Sequence, residues 1–150
     1  MVKKLLKKWP TKKWQNYIKL LEFMNKFYLL IAGSRDFEDY DLLKQCTDYA
    51  LRNRTENIVI VSGGARGVDT LAKQYAYEKQ YEYLEFKADW NIFGKSAGYI
   101  RNEEMHKFIS QFENCGALYF WDGESKGTAQ NFDLDLKYNI KNFIIKYKEL

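Results

Sequence analysis

Side chains that bind zinc or form disulfides are scarce in this sequence of 150 residues. Its two cysteines, Cys46 and Cys115, cannot build a disulfide framework and belong to no CxxC pair. The one histidine, His106, leaves no plausible zinc site. Since no secretory signal peptide is recognised either, the cysteine usage predicts a protein of the reducing cytoplasm.

Long apolar runs are also missing, and none approaches the roughly 20 residues that a membrane-spanning helix needs. Hydrophobic residues nevertheless make up 46% of the chain, and aromatic residues make up 17%. A chain of this length and composition predicts a packed globular domain with its own core rather than a disordered segment.

Basic residues are concentrated at the start of the chain. Residues 1–26 contain eight lysines and one glutamate, a balance of +7, whereas the remaining residues are mildly acidic at −3. We therefore divide the sequence into a basic amphipathic arm, residues 1–26, and a domain, residues 27–150. The arm, and not the domain, makes the protein basic.

Helical periodicity follows Pro10 in the arm. Thr11 is a candidate N-cap, and one apolar face is predicted to hold Trp14, Tyr17, Ile18 and Leu21. A basic amphipathic helix suits both nucleic acid and an anionic membrane surface; nucleic acid stays open as a partner of residues 1–26, and a membrane surface is not expected. Alternatively, the helix packs on the domain with its lysines in water, or the working protein begins at Met24.

Short apolar runs alternate with helical periodicity from residue 27 onward. Strands are predicted over 27–32, 58–61, 83–86, 117–121 and 142–147. Helices are predicted over 40–54, 68–79, 97–112 and 128–138. This alternation predicts an α/β fold of the Rossmann-like, doubly wound kind, with a mainly parallel five-stranded sheet and helices on both faces. The oligomeric state is not specified by the sequence, and a homo-oligomer stays open.

Polar and glycine-bearing segments follow the predicted strands, at residues 33–36, 62–69, 89–98 and 122–128. In a doubly wound sheet the ligand lies outside the carboxyl ends of the strands, where the chain order reverses. We therefore expect these loops to converge on one binding site. The candidate ligand-binding residues are Gly33, Ser34, Arg35, Ser62, Gly63, Gly64, Arg66, Gly67, Asp89, Lys95, Arg101, Asn102, Gly123, Ser125, Gly127 and Thr128.

The loop 62–72, SGGARGVDTLA, has the composition of an anion cradle. Glycine allows close approach to a ligand, and the following helix offers unpaired N–H groups. Arg66 can grip a phosphate with two hydrogen bonds, while Asp69 is expected to cap the helix or orient Arg66. The alternative is a plain glycine turn into a capped helix.

Two phosphate-binding motifs match only in part. Ser62, Gly64 and Gly67 fit GxGxxG except for the first glycine, and Asp89 lies where an acid would meet a ribose hydroxyl. Residues 94–96 resemble the end of a P-loop, but Asp89 stands at its first glycine, which argues against an ATPase of that type.

The turn at 123–128 has backbone amides and the hydroxyls of Ser125 and Thr128, which could bind a second phosphate or a sugar. The alternative is an ordinary turn followed by a helix cap. Trp90 and Phe93 are candidates for stacking on a base. Trp121 is expected to contribute to packing, and His106 to lie on a helix surface or in the core.

Four segments together carry a resemblance to a known family: GSRDF (33–37), SGGARGVDTLA (62–72), ADW-x3-GK-x-AG-x2-RN-x2-M (88–105) and WDG-x-S-x-GT (121–128). They resemble the YspA-like family of the SLOG superfamily, which includes the DNA-processing protein DprA and the Lonely Guy phosphoribohydrolases. The resemblance implies a Rossmann-like domain that binds a nucleotide or nucleotide-derived ligand, in a bacterial or phage setting. It does not reach the basic arm.

Catalysis is a separate question. Arg101, Asn102 and Met105 resemble the RKxxM motif of the Lonely Guy enzymes, but Asn131 stands where their second motif has glutamate. An amide cannot supply the charge that stabilises an oxocarbenium-like state. Arg101 and Asp122 are therefore candidate catalytic residues, with Asp36 as another carboxylate that could substitute.

Three candidate functions follow from these residues and from the resemblance. The first is binding of a nucleotide-type ligand of unknown identity, as a sensor or sequestering protein without turnover. The second is an N-glycosidase or phosphoribohydrolase that acts on nucleoside monophosphates. The third is binding of single-stranded nucleic acid, for which the acidic domain is unsuited unless the arm provides the contacts.

Overall fold

Five parallel strands form one sheet in the order β3-β2-β1-β4-β5 in the computed structural model, which describes residues 11–149. The strands are β1 (Lys26–Gly33), β2 (Asn57–Ser62), β3 (Glu82–Glu85), β4 (Cys115–Trp121) and β5 (Asn142–Lys146). The helices are α1 (Lys12–Met24), α2 (Tyr40–Leu51), α3 (Val68–Lys79), α4 (Trp90–Phe93), α5 (Ala97–Ile109) and α6 (Lys126–Tyr138). The predicted Rossmann-like α/β class is confirmed.

The central strand β1 is buried on both faces, because side chains alternate along a strand. One face of the sheet, with Leu29 and Ile31 of β1, packs against α2 and α3. The opposite face, with Tyr28 and Leu30, packs against α5 and α6. Each buried residue of this size stabilises the fold by roughly 1.5–3 kcal/mol, so a continuous apolar run is what a strand between two helical layers requires.

The order of the strands reverses beside β1. From β1 the chain crosses to β2 and β3 on one side, then returns to β4 and β5 on the other. Leu29 pairs with Ile60 of β2 and with Gly116 of β4, which places β1 between them. The carboxyl ends of β1 and β4 therefore border the crevice in which such sheets bind their ligands.

Two helices end earlier than predicted. The helix expected over 40–54 ends at Leu51, where the Arg52 N–H bonds to the Tyr49 carbonyl and turns the chain into a polar segment. The helix expected over 97–112 ends at Ile109, and the Ser110 hydroxyl donates to the Lys107 carbonyl. Side chains that bond the local backbone compete with continuation of a helix.

α1 forms where a helix was expected after Pro10, but Thr11 makes no side-chain cap. Of its apolar residues, Ile18 is buried, whereas Trp14, Tyr17 and Leu21 stay about half exposed. Lys19 lies beside the first residues of β2 and β3, at the amino edge of the sheet. The first part of the arm, residues 1–10, lies outside the described residues, and the domain boundary at residue 26 stays a prediction.

His106, expected on a helix surface or in the core, is fully buried in a polar network. Its Nδ1 lies 2.7 Å from the Asn102 carbonyl, and its Nε2 lies 2.9 Å from Asp135 Oδ1 and 3.1 Å from the Tyr119 hydroxyl. A carbonyl only accepts, so Nδ1 carries hydrogen. The network ties α5, β4 and α6 together behind the sheet. No helix among residues 11–149 has the length and apolarity to cross a membrane.

Candidate functional site

A cavity of about 410 Å³ opens at the carboxyl ends of β1 and β4. All four predicted loops contribute several lining residues, and the loop after β2 does so through Ala65, Arg66 and Asp69. The lining residues with polar or aromatic groups are Ser34, Arg35, Asp36, Arg66, Asp69, Trp90, Lys95, Tyr99, Arg101, Asn102, Asp122, Ser125, Thr128 and Asn131. The expected convergence of loops at this edge is therefore present in the structure.

A second, more open depression of about 680 Å³ adjoins the cavity over β2. It is lined by Gly63, Gly64, Lys87 and Ala88, and it shares Arg35, Ala65, Arg66, Trp90 and Arg101 with the first. The two depressions form one groove, with Arg101 at the border between them.

Arg101 is fixed by hydrogen bonds despite its length. It is 8% exposed, its Nε donates to Asn102 Oδ1 at 2.9 Å, and its Nη1 donates to the Gly63 carbonyl at 2.5 Å. No hydrogen-bond partner occupies Nη2 among the residues that the structure describes. Burial lowers the pKa of Arg101 while the Asp69 carboxylate raises it. The result is an oriented guanidinium with one nitrogen available to a ligand.

Asp69 lies in the wall of the cavity at 5% exposure. Burial raises its pKa to about 6, against the opposing effects of the Ala65 amide and the Arg101 guanidinium. Its Oδ2 accepts from the Ala65 N–H at 3.1 Å, so the carboxylate holds the glycine loop. Arg66 instead forms an ion pair with Asp36 at 3.5 Å. Both side chains are exposed, so this pair contributes little to stability. Asp69 is thus placed against the loop and Arg101, and not against Arg66.

The first turn of α6 faces the cavity. Asp122 Oδ1 accepts from the N–H groups of Glu124 at 2.9 Å and Ser125 at 2.7 Å, and these bonds lower the pKa of Asp122. The Ser34 hydroxyl, which is buried, accepts from the Asp122 N–H at 3.1 Å. The amides at 126–128 have no acceptor within their own helix, and Gly127 and Thr128 line the cavity. Asp122 is therefore a turn-forming carboxylate.

Two asparagines join α5 to α6. Asn102 Nδ2 donates to the Gly127 carbonyl at 3.3 Å and to Gln130 Oε1 at 2.9 Å. Asn131 Nδ2 donates to the same Gly127 carbonyl at 3.4 Å. Asn131 Oδ1 is fully enclosed and has no hydrogen-bond partner among the described residues.

The rim of the cavity carries positive charge and aromatic rings. Arg35 lies with its Cζ 5.7 Å from the centre of the Trp90 ring, within the range of a cation–π contact. Trp90 is 49% exposed and Tyr99 is 45% exposed, so both have free ring surface. Lys95 also lines the cavity, whereas Phe93 does not.

Several predicted residues support the site without lining either depression. Ser62 is fully buried beneath the loop, and its hydroxyl has no partner among the described residues. Asp89 accepts from the Ile92 N–H at 3.1 Å and so caps α4. Gly67 has a φ of 77°, and an added Cβ there would collide with the carbonyls of Ser34 and Arg35. Gly123 has a φ of 88° and forms the turn before α6.

Several cavity residues were not predicted as binders, among them Asp69, Tyr99, Met105 and Asn131. Both Tyr99 and Met105 lie on α5. Met105 entered the sequence predictions only as part of a motif resemblance, and Tyr99 carries no signal beyond its position two residues before Arg101. Asp69 was interpreted as a cap because an aspartate in the first turn of a helix is typical of that role. Its electrostatic interaction with Arg101 depends on the fold, which brings the first turn of α3 and the side chain of Arg101 from α5 to the same edge of the sheet.

Residues 27–93 match the YspA, cpYpsA-related SLOG family. This match confirms the predicted resemblance over the segment from β1 through α4. It includes the loops after β1 and β2 but neither Arg101 nor the turn before α6.

Among curated proteins, the chain is similar to the Gene 61 protein of Mycobacterium phage D29, with 35% identity over 82 residues. The similarity covers 51% of this chain and 66% of the phage protein. This relative fits the predicted bacterial or phage setting.

Among solved structures, the fold is similar to DNA processing protein A (DprA) from Streptococcus pneumoniae, with a TM-score of 0.56 and 18% identity. The likeness covers 83% of this chain and 52% of DprA, so the chain spans about half the length of that protein. At this identity the likeness establishes the fold alone.

Proposed function

We propose that the domain binds a nucleotide or nucleotide-derived small molecule at the carboxyl edge of its sheet, as a sensor or sequestering protein. The observation that carries this proposal is the pairing of the buried Arg101 guanidinium with the open first turn of α6 in one cavity of about 410 Å³. A cavity of this size suits a small molecule. A nucleotide ligand also fits the cytoplasmic location that the cysteine usage predicts.

The groups around the cavity match the parts of a nucleotide. The unpaired amides of Gly127 and Thr128 and the helix dipole favour a phosphate, and Arg101 Nη2 can complete its coordination. The exposed rings of Trp90 and Tyr99 suit stacking on a base, which every base permits. Specificity for a particular base would need polar contacts beyond stacking.

Isothermal titration calorimetry with ribonucleoside mono-, di- and triphosphates, NAD and ADP-ribose tests the proposal. We expect micromolar or tighter binding of at least one compound, and a weakening of roughly 10-fold to 150-fold in Arg101→Ala, because a charge-assisted hydrogen bond contributes about 1.5–3 kcal/mol. Arg52→Ala is the matched control, since Arg52 is exposed and bonds to the Tyr49 carbonyl away from the cavity. Absence of binding by the whole panel would overturn the proposal.

A second candidate function is hydrolysis of the N-glycosidic bond of a nucleoside monophosphate, in which water adds to C1 of the ribose and the base leaves with a proton. It is favoured by Asp69, a carboxyl group in the cavity whose pKa is about 6 because of burial. Asp122 is less suited, because its carboxylate is occupied by the amides of the turn.

Chromatography of released base separates the two functions. In the enzyme interpretation, wild type releases base from at least one nucleoside monophosphate, and Asp69→Asn and Arg101→Ala both lose this activity. If wild type binds a nucleotide and releases no base after prolonged incubation, the domain is a binder without turnover.

A further inference from the structure

A row of large apolar side chains on α1 is exposed to solvent. The members of this apolar stripe, each between 44% and 66% exposed, are Trp14, Tyr17, Leu20, Leu21 and Met24. Successive members lie three or four residues apart, which places them on one side of the helix. Ile18 is buried, and Lys19 lies beside the first residues of β2 and β3, so α1 rests on the domain while the stripe stays in water.

The chemistry of the stripe indicates what covers it. A contiguous apolar patch on a soluble domain marks a contact surface rather than a scatter of exposed residues. A nucleic acid has bases that stack on aromatic rings such as Trp14 and Tyr17, and phosphates that attract lysines. It has little apolar surface for the aliphatic members of the stripe, Leu20, Leu21 and Met24. The partner therefore needs an apolar layer.

Positive charge accompanies the stripe. α1 contains three exposed lysines, Lys12, Lys13 and Lys19, and one glutamate, and residues 1–26 together have a balance of +7. A lysine near the surface of an anionic bilayer strengthens binding by roughly fivefold. The charge thus favours a partner that combines an apolar layer with a negative surface.

A second copy of α1 fits the stripe poorly. Lys13 lies four residues before Tyr17 and seven before Leu20, so it is on the same side of the helix as the stripe. Pairing of two stripes would bring Lys13 of both copies together, between two arms that each carry +7. On a bilayer, the same lysine can keep its methylene groups in the apolar layer and extend its ammonium group to the headgroups.

We propose that α1 docks the protein on the surface of an anionic lipid bilayer, with the apolar stripe at the boundary between headgroups and acyl chains and the lysines among the headgroups. Composition alone did not lead us to expect a membrane surface for residues 1–26, and the exposure of the stripe is the observation that favours it. α1 lies at the amino edge of the sheet, so docking leaves the cavity at the carboxyl edge open. This inference is independent of the proposed nucleotide-binding function.

The first experiment needs no variant. Co-sedimentation of the full chain is measured with vesicles of phosphatidylcholine alone and with vesicles that contain about 30% phosphatidylglycerol, at 50 and 200 mM salt. We expect binding to the anionic vesicles to be at least tenfold tighter than to the neutral ones, and to weaken at the higher salt concentration. Absence of binding to anionic vesicles at 50 mM salt, or equal affinity for the two compositions, would overturn the inference.

The second experiment removes the aliphatic part of the stripe without a change in charge. The double variant Leu20→Gln with Leu21→Gln is expected to bind anionic vesicles roughly tenfold more weakly, because neither side chain then gains from entering the apolar layer. Leu136→Gln is the matched control, since Leu136 is an 83% exposed leucine on α6, and it should bind as wild type does. Wild-type affinity of the double variant would overturn the inference.

The third experiment separates a bilayer from the other partners. Replacement of Lys12, Lys13 and Lys19 by Gln together should weaken vesicle binding by roughly 100-fold. Binding to single-stranded DNA would depend on these lysines and not on Leu20 and Leu21. A chain that binds single-stranded DNA but no anionic vesicles would overturn the inference. A dimer that dissociates in the leucine variant, without any vesicle binding by wild type, would do the same.

Discussion

Arg101 Nη1 donates to the carbonyl of Gly63 across 2.5 Å, and this bond joins α5 to the glycine loop after β2. The loop was predicted to bind its ligand through its own amides. In the structure, one of its carbonyls also serves as an anchor that orients the guanidinium. The backbone of the loop and the side chain of Arg101 thus form a single unit at the border of the two depressions.

The effect of removing the Arg101 side chain on stability is expected to depend on whether residue 69 carries a carboxylate. In Arg101→Met, the buried Asp69 carboxylate loses the guanidinium that most favours its charged form, whereas in the double variant with Asp69→Asn no buried carboxylate remains. We expect the double variant to be more stable than the sum of the single effects by about 1–2 kcal/mol. Urea unfolding of the four proteins at pH 7.5 measures this coupling, and simple additivity would contradict it.

Asp69 is expected to make stability depend on pH. Its pKa is raised from 3.8 to about 6 in the folded protein, so the native state binds more protons than the unfolded state between these values. Stability therefore falls as the pH rises from about 4 to about 6, by up to about 3 kcal/mol. Unfolding free energies of wild type and Asp69→Asn, measured from pH 4 to pH 7.5, should diverge in this sense.

Asp48 provides a control of opposite sign. Burial raises its pKa, but hydrogen bonds from Tyr75 and Lys79 outweigh that effect and lower it overall. Its contribution to stability is therefore lost as the pH falls below about 4. Asp48→Asn should therefore lower the free energy of unfolding at neutral pH. For Asp69, the contradicting result would be parallel curves of unfolding free energy against pH for Asp69→Asn and wild type, since the pKa of Asp69 would then not be raised.

Substitution of Gly33 is expected to be far more damaging than substitution of Gly127. A Cβ at Gly33 would collide with the Phe120 carbonyl and the side chain of Val68, whereas a Cβ at Gly127 meets nothing within 4 Å. Gly33→Ala should cost about 1–3 kcal/mol through forced displacement of packed groups. Thermal unfolding of both variants tests the contrast, and comparable melting temperatures would refute it.

The buried network around His106 is expected to contribute more to stability than any exposed ion pair. In Asp135→Ala, His106, Tyr119 and Asn142 each lose a partner, and the predicted loss is about 3–5 kcal/mol. Tyr119→Phe removes one hydroxyl and should cost about 1–2 kcal/mol. Lys137→Ala, which breaks the exposed pair with Glu103, should leave stability nearly unchanged in the same urea titration.

Removal of residues 1–23 should leave nucleotide binding within about twofold of wild type, because α1 lies at the amino edge of the sheet and the cavity lies at the carboxyl edge.

If the arm binds single-stranded DNA, the affinity of the full chain should fall steeply with salt, and the truncated chain should lose that binding. Filter binding at 50 and 200 mM salt measures both, and unchanged DNA affinity after truncation would exclude the arm as the contact surface.

The sheet, and the edge of it at which the cavity lies, could be predicted because each depends on local features of the sequence. Continuous apolar runs such as residues 58–61 fit only strands that are covered on both faces, and the order of strands and helices then places the loops at one edge. The contacts inside the edge depend on packing between distant segments. Ser62 is buried, and the Asp69 carboxylate interacts with Arg101, because of how segments distant in the sequence pack together, and no spacing in the sequence contains that information.

Arg101 and Asn102 are consecutive residues with partners in two different segments, one in the loop after β2 and the other at the start of α6. The two halves of the sheet therefore cannot separate at the crevice without breaking bonds to one short piece of helix. In amide hydrogen exchange, the glycine loop and the first turns of α6 should open together as one cooperative unit.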